Sequence, residues 1–222
     1  MSNIKKIVLI TMIFTLSLFM VACKKDVKDS LSKTEETTEK YAKDEDTDIS
    51  LYIASDNSVT ATFVSSFDKY YYDKKELEEM VDKEIADFNE NLAGDPLNGI
   101  SKAGFEVKDK KVTLKIKFIN YYDFNSYSRR YIDPDKELTM FVGDYDSSVA
   151  ANISINSTIY LTSDDSAMNL EEIPTSGYRI FYINTNMDIE FEGEIVGVNE
   201  NVTVDGNKVS TKEEADNYVI IK

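Results

Sequence analysis

Histidine and tryptophan are absent from the 222 residues, cysteine occurs once and proline three times. Without histidine, the Ser-His-Asp and Cys-His nucleophile systems are excluded, and so are the usual histidine-based zinc sites. The single cysteine, Cys23, excludes a disulfide within the chain, so packing alone must support the fold. Basic residues are scarce as well, 25 Lys and Arg against 41 Asp and Glu, for a net charge of −16. Binding to nucleic acid relies on cationic contacts to phosphate. Lying flat on an anionic membrane needs the same sign of charge. The composition argues against both. Solubility explains the acidic excess; affinity for cations or basic partners is the sharper alternative.

The N-terminus carries the most specific signal. Lys5 and Lys6 precede residues 7–21, which are apolar apart from Thr11, Thr15 and Ser17. That run is shorter than the roughly 20 apolar residues of a comfortable transmembrane helix and has the length of a secretory apolar region. It ends in Met20-Val21-Ala22-Cys23. A small residue before the cut suits a signal peptidase, and the four residues together resemble the lipobox of bacterial lipoproteins, with Met20 in place of the usual Leu. The resemblance implies a signal peptide of residues 1–22, cleavage before Cys23, a diacylglyceryl group on its sulfur and a mature chain held at the outer face of the cell membrane. Each buried methylene of an acyl chain contributes about 0.8 kcal/mol. Loss of residues 1–22 removes Lys5 and Lys6, leaving 23 basic against 41 acidic residues, a net charge of −18.

Residues 23–48 read as a lipid-anchored flexible tether. Apart from Val27, Leu31, Tyr41 and Ala42 they are almost entirely charged residues, Ser and Thr, with no apolar period to form a core face. Residues 49–222 are long enough for one extracytoplasmic domain with a proper core. Two strands around the turn Ser55-Asp56-Asn57-Ser58 predict a hairpin, with Val59, Ala61 and Phe63 inward. Asp73 with Glu76 three residues on predicts a capped helix start. Leu77, Met80, Val81, Ile85, Phe88 and Leu92 then recur at helical spacing until Gly94 and Pro96 stop it. A second hairpin is predicted around Asp109-Lys110, with Val112, Leu114, Ile116 and Phe118 on its buried face. A short helix is expected within 121–131, a strand over 138–142, a short helix over 144–150, and strand-like pieces near Ile153 and over 159–161. Strands are expected over 179–183, 187–191, 194–198, 202–204 and 218–221, with a tight hairpin at Asp205-Gly206. The expected class is α+β: one or more antiparallel sheets, one main amphipathic helix over about 73–93, and a β-rich C-terminal part.

Residues 51–80, LYIASDNSVTATFVSSFDKYYYDKKELEEM, and 191–209, FEGEIVGVNENVTVDGNKV, with the closing Tyr218-Val219-Ile220-Ile221-Lys222, resemble a group of lipoproteins from clostridial-type Gram-positive bacteria. That group shares the lipobox, a charged spacer, a hairpin followed by an acidic helix, and a β-rich tail. The resemblance implies location and layout, and no chemistry.

The candidates for chemistry are thin. Ser66-Phe67-Asp68-Lys69 matches the S-x-x-K of penicillin-recognising enzymes, but the accompanying S-D-N and K-T-G elements are missing. A second S-x-x-K, Ser30 to Lys33, falls in the tether, so coincidence explains the match. Asp133-Pro134-Asp135-Lys136-Glu137, Asp144-Tyr145-Asp146 and Asp164-Asp165 gather the oxygen ligands calcium prefers. Leu138 occupies the position at which an EF-hand loop starting at Asp133 requires glycine, so a solvated loop is the plainer reading. A carboxylate pair for glycoside hydrolysis cannot be chosen from so many acids. No catalytic residue, metal or cofactor is expected. Tyrosine, by contrast, is abundant. Tyr70-Tyr71-Tyr72 precedes the main helix, and Tyr121, Tyr122, Tyr127 and Tyr131 crowd Arg129 and Arg130. Tyr and Arg are common interface anchors, while core packing is the plainer use of Tyr in strands. The expectation is a surface lipoprotein with a non-enzymatic protein-interaction or envelope-organising role. Its partners are the membrane, through the lipid on Cys23, and an envelope protein, with no nucleic acid. Tyr121, Tyr122, Tyr127, Arg129, Arg130 and Tyr131 form its tentative interaction surface. The alternatives are a binding module for a small solute, cation or wall fragment and, last, a carboxylate- or metal-dependent hydrolase.

Overall fold

A computed structural model describes residues 47–92, 99–132 and 138–222. The expected signal peptide, all of the expected tether but its last two residues, the expected helix stop at Gly94 and Pro96, and the acidic run 133–137 lie outside the described residues. The first hairpin is β1 (Asp48–Ile53) and β2 (Val59–Ser66), antiparallel and in register from Asp48–Val64 to Ile53–Val59. β1 starts at Asp48, one residue before the expected Ile49. Inward and outward residues alternate along both strands, as the period-2 pattern requires.

The main helix, α1 (Lys74–Glu90), begins as the capping signal predicts: Asp73 Oδ1 accepts from the amides of Lys75 at 2.7 Å and Glu76 at 3.0 Å. Leu77, Val81 and Phe88 are its buried face. It packs on β3 (Ile100–Lys108), which joins β4 (Lys111–Phe118) through Asp109 and Lys110. Both turn residues take positive φ, 51° and 60°, the conformation of a two-residue turn matched to strand twist. β3 is longer than the sequence pattern suggests, because Gly104 stands next to a bulge that carries the pairing back past Lys102 to Ile100. Lys102 reaches Glu78 at 2.9 Å and Asp82 at 2.6 Å, tying α1 to the edge of the sheet.

The chain then forms α2 (Tyr121–Tyr127), a π-helical turn Ser128–Ile132, β5 (Met140–Gly143), α3 (Tyr145–Ala150) and β6 (Tyr160–Leu161). A 3-10 turn, Leu170–Glu172, leads into α4 (Ile173–Ser176). The C-terminal part is β7 (Arg179–Ile183), β8 (Asp188–Phe191), β9 (Ile195–Val198), β10 (Val202–Asp205), β11 (Lys208–Thr211) and β12 (Asn217–Ile221). The piece near Ile153 is not a strand. The tight turn between β10 and β11 sits one residue later than expected, on Gly206 and Asn207, because Asp205 still pairs with Lys208.

Two sheets result. The larger runs β10-β11-β8-β1-β2-β4-β3 and the smaller β5-β7-β12-β9-β6. The α+β class holds, with one departure: β1 and β8 pair in parallel. Parallel neighbours need a crossover, and here the whole chain between Ala54 and Met187 provides it. One face of the large sheet meets the small sheet and α1 in the main core, where Phe63, Leu114, Phe118, Phe181, Phe191 and Val219 are buried together. The far face of the small sheet is covered in turn, by Ile159, Ile173 and the residues around them. Burial on both faces explains why every residue of β12 is inside. The other face of the large sheet is left to solvent.

Candidate functional site

That solvent face carries an ordered array of polar side chains, and strand register builds it. One row crosses five strands as Ser210, Asp188, Ser50, Thr62 and Lys115. The next row crosses the same strands as Lys208, Glu190, Tyr52, Thr60 and Lys117. Acids therefore gather on β8 and lysines on β4, with the hydroxyls of β1 and β2 between them. Three strand spacings separate the two charged strips, roughly 14 Å. The face is concave enough to hold an open groove of about 650 Å³, with Tyr52, Lys115, Asp188 and Glu190 on its walls.

The acidic wall is held in place. Ser210 Oγ donates to Asp188 Oδ1 at 2.7 Å, and Lys208 Nζ lies 3.6 Å from Glu190. Glu192, next along the strand end, accepts from the amide of Ser55 at 2.9 Å. That hydrogen bond holds its carboxyl below the usual range. Burial first, then the charges of Glu192 and Glu190, raises the Tyr52 hydroxyl above its ordinary value. Arg179 closes this corner, donating to the carbonyls of Ala54 and Glu192 at 2.7 Å each, and so joins the small sheet to the first hairpin. The groove offers acceptors on one wall, cations on the other, and hydroxyls between. It is chemistry for holding a polar or charged partner. The Ser210–Asp188 contact has no intervening base to activate the serine.

A second feature was not anticipated. Glu84 lies three residues after Val81 and four before Phe88, on the buried stripe of α1. The hydroxyl of Tyr127 donates to its Oε1. Burial pushes the Glu84 carboxyl up to about 7, against the opposing effects of the Tyr127 hydrogen bond and the Arg130 charge; Asp87 adds to the rise. The Tyr127 hydroxyl is itself driven well above its ordinary value, by burial first and then by Glu84. The spacing of residues 77, 81, 84 and 88 carries this signal in the sequence. A charged residue on an apolar stripe was the mark to look for.

The tentative surface at 121–131 divides. Tyr127 is fully buried against Phe88, Phe118 and Tyr131, with ring centroids 5.6, 5.3 and 4.9 Å away, so it is removed from any interaction surface. Tyr121 is half-buried, stacked on Tyr122 at 4.1 Å and edge-on to Phe141 at 5.1 Å. Tyr131 is half-buried with the Arg130 guanidinium 5.1 Å from its ring centre. Tyr122, Arg129 and Arg130 are exposed. The segment is positioned by Asn125, whose amide brackets the backbone of Met140 with bonds of 2.8 and 3.0 Å. In the π-helical turn, Ser128 is buried and its hydroxyl has no hydrogen-bond partner among the described residues.

The other candidates resolve into local structure. Asp144 caps α3 by accepting from the Ser147 amide at 2.7 Å, and Asp164 closes a turn by accepting from the Ser166 amide at 3.0 Å. Hydrogen bonding to the hydroxyls of Ser147 and Ser166 first, and to their amides second, holds both carboxyls below their usual range. Lys69 sits 3.6 Å from Asp68, both exposed, at the end of a strand. Among the described residues, no three acidic, cysteine or histidine side chains converge as a metal site would require. No described helix is long and apolar enough to cross a membrane. Comparisons with family models, curated proteins and solved structures return no match.

Proposed function

We propose that the chain is an exported lipoprotein, cut before Cys23 and held by lipid on that cysteine at the outer face of the cell membrane. Its domain is a non-enzymatic interaction module. The contact surface is the open face of the large sheet, and the partner is another protein of the envelope. The charge-ordered face carries this reading: acids on β8 and lysines on β4 flank a hydroxyl strip in fixed register. A surface patterned in this way selects a partner of opposite pattern and sets its orientation. Exposed Tyr122, Arg129 and Arg130, at the far end of β4, extend the reading only if the partner is large.

The test is in-cell cross-linking of the full lipoprotein through a photoreactive residue at Thr62. One discrete cross-linked species is expected, lost when Lys115 and Lys117 become Glu and retained when exposed Lys83 becomes Glu. A species that survives the Lys115/Lys117 exchange removes the sheet face from the reading.

A small solute, cation or wall fragment is the second reading, supported by a groove volume within the ligand-pocket range. A ligand at a hundred times its dissociation constant adds about 2.7 kcal/mol to stability. A thermal-unfolding panel at fixed salt therefore separates the two readings. A specific upward shift that Asp188→Asn abolishes favours the small ligand. A carboxylate-dependent hydrolase stands last, since two of its acidic candidates, Asp144 and Asp164, are spent on a cap and a turn.

A further inference from the structure

The chain leading back to Cys23 enters the domain at Thr47, whose hydroxyl lies 3.0 Å from that of Ser65 near the end of β2. At this end of the sheet, the chain leaves β2 at Ser66 and passes through Phe67 to Tyr72 into α1. Beside it lies the β3–β4 turn, since the Phe67 amide donates to the Lys110 carbonyl at 2.7 Å and Ser66 pairs with Lys111. Entry point, aromatic loop and lysine-bearing turn therefore share one end of the molecule.

The side chains of this corner are unlike the rest of the surface. A file of rings runs outward from the core: Phe67 to Tyr72 at 5.0 Å, Tyr72 to Tyr71 at 5.0 Å, Tyr71 to Tyr70 at 5.2 Å. Phe67 packs on the core, Tyr71 is 44 % exposed, and Tyr70 is 99 % exposed. Around them stand Lys69, Lys74, Lys75, Lys108, Lys110 and Lys111, all exposed. These are six of the 23 basic residues of a mature chain whose net charge is −18. Acids share the corner: Asp68 lies 3.6 Å from Lys69, Glu79 lies 3.4 Å from Lys75, Asp109 is exposed in the β3–β4 turn, and Asp73 caps α1.

We infer that this Tyr70–Tyr71 corner with its lysines is a membrane-docking surface, seating the domain on anionic lipid. The inference rests on the lipid-anchor reading for its geometry, because Thr47 follows Cys23 by 24 residues and the end it enters is the end nearest the anchor along the chain. Tyrosine suits the depth of lipid headgroups, where its ring meets apolar chain ends and its hydroxyl meets water. Each lysine close to an anionic leaflet gains about 1 kcal/mol. The overall acidity is no obstacle, since charges farther than roughly 10 Å are screened at 0.1 M salt. Glu200, Glu213 and Glu214, on the far side of the same end, are repelled and tilt the domain onto the β2–α1 corner.

The test uses the mature chain, residues 23–222, with Cys23→Ser so that no lipid is attached, and vesicles of phosphatidylcholine with or without phosphatidylglycerol at 0.1 M salt. Sedimentation with the phosphatidylglycerol vesicles alone is expected. Lys69→Glu with Lys110→Glu lowers the partition roughly 25-fold or more. Tyr70→Ala with Tyr71→Ala lowers it severalfold, and Lys83→Glu, on the wet face of α1, leaves it unchanged. Equal unfolding midpoints show that these exposed changes spare the fold. No sedimentation overturns the inference, as does sedimentation indifferent to the corner variants or to phosphatidylglycerol. Mass analysis of the N-terminal residue of the protein from cells tests the anchor separately: an unmodified Cys23 retires the anchor without touching the vesicle result.

Discussion

Two tyrosine-rich segments sit at opposite ends of β4, one residue type put to opposite uses. At one end, Tyr127 is fully enclosed and hydrogen-bonded to Glu84, and Tyr121 and Tyr131 are half-buried. At the other end, Tyr70 is 99 % exposed, held only by the edge of the next ring. The difference lies in what each segment is attached to. Phe124, Tyr127 and Tyr131 fall at helical spacing and turn one face to the core. Tyr70, Tyr71 and Tyr72 are consecutive in a non-helical link, so their rings meet edge-on in a file of which Phe67 packs on the core and Tyr70 stands outermost. Density of an interface-prone residue is therefore a poor guide to an interface; its period is the better one.

The largest effect that sharpens this comparison is Tyr127→Ala. It empties a core position and strips the donor from a buried carboxyl, and a loss of about 4 kcal/mol is expected in urea unfolding. Next is pH. Glu84 is raised from 4.5 to about 7 in the folded state, so the folded chain holds a proton there that the unfolded chain has lost. Stability therefore falls as pH rises from about 4.5 to about 7, by an amount on the order of 2 to 3 kcal/mol if this group acts alone. Glu84→Gln removes that slope, and an unaltered slope would show that other groups set it. Asp144 and Asp164, with lowered values, act in the opposite sense and only in more acidic solution. Tyr127→Phe follows, keeping the ring and costing about 1 to 2 kcal/mol. Last is Tyr70→Ala, expected to change the unfolding free energy by less than about 0.5 kcal/mol. A larger loss would mean that Tyr70 is part of the core after all and would break the contrast.

Much of the fold was legible because its signals are local. The Asp73 cap, the alternation in β2 and β4, and the Asp109-Lys110 turn each act over a few residues, and each appears where the pattern placed it. The parallel pairing of β1 with β8 was not legible, since Leu51 and Ile189 are neighbours across most of the chain and nothing in either strand names the other. The sheet face was half legible. Lys115 and Lys117 alternate with the predicted buried residues Leu114, Ile116 and Phe118, but their alignment with Asp188 and Glu190 needs the register of three intervening pairings. Glu84 is legible as a charged residue on the stripe of Leu77, Val81 and Phe88, but its burial depends on Tyr127, which arrives from a distant part of the chain.

Consider finally where the N-terminal chain joins the sheet. β1 is an interior strand, paired with β2 along its whole length and with β8 from Ser50 to Ile53. A pull on that chain runs along β1 and loads both ladders in shear, so their hydrogen bonds share the force instead of parting one after another as they would at a peeled edge. The point at which the N-terminal chain enters is thus a mechanical clamp, and force on that chain is borne by the middle of the large sheet.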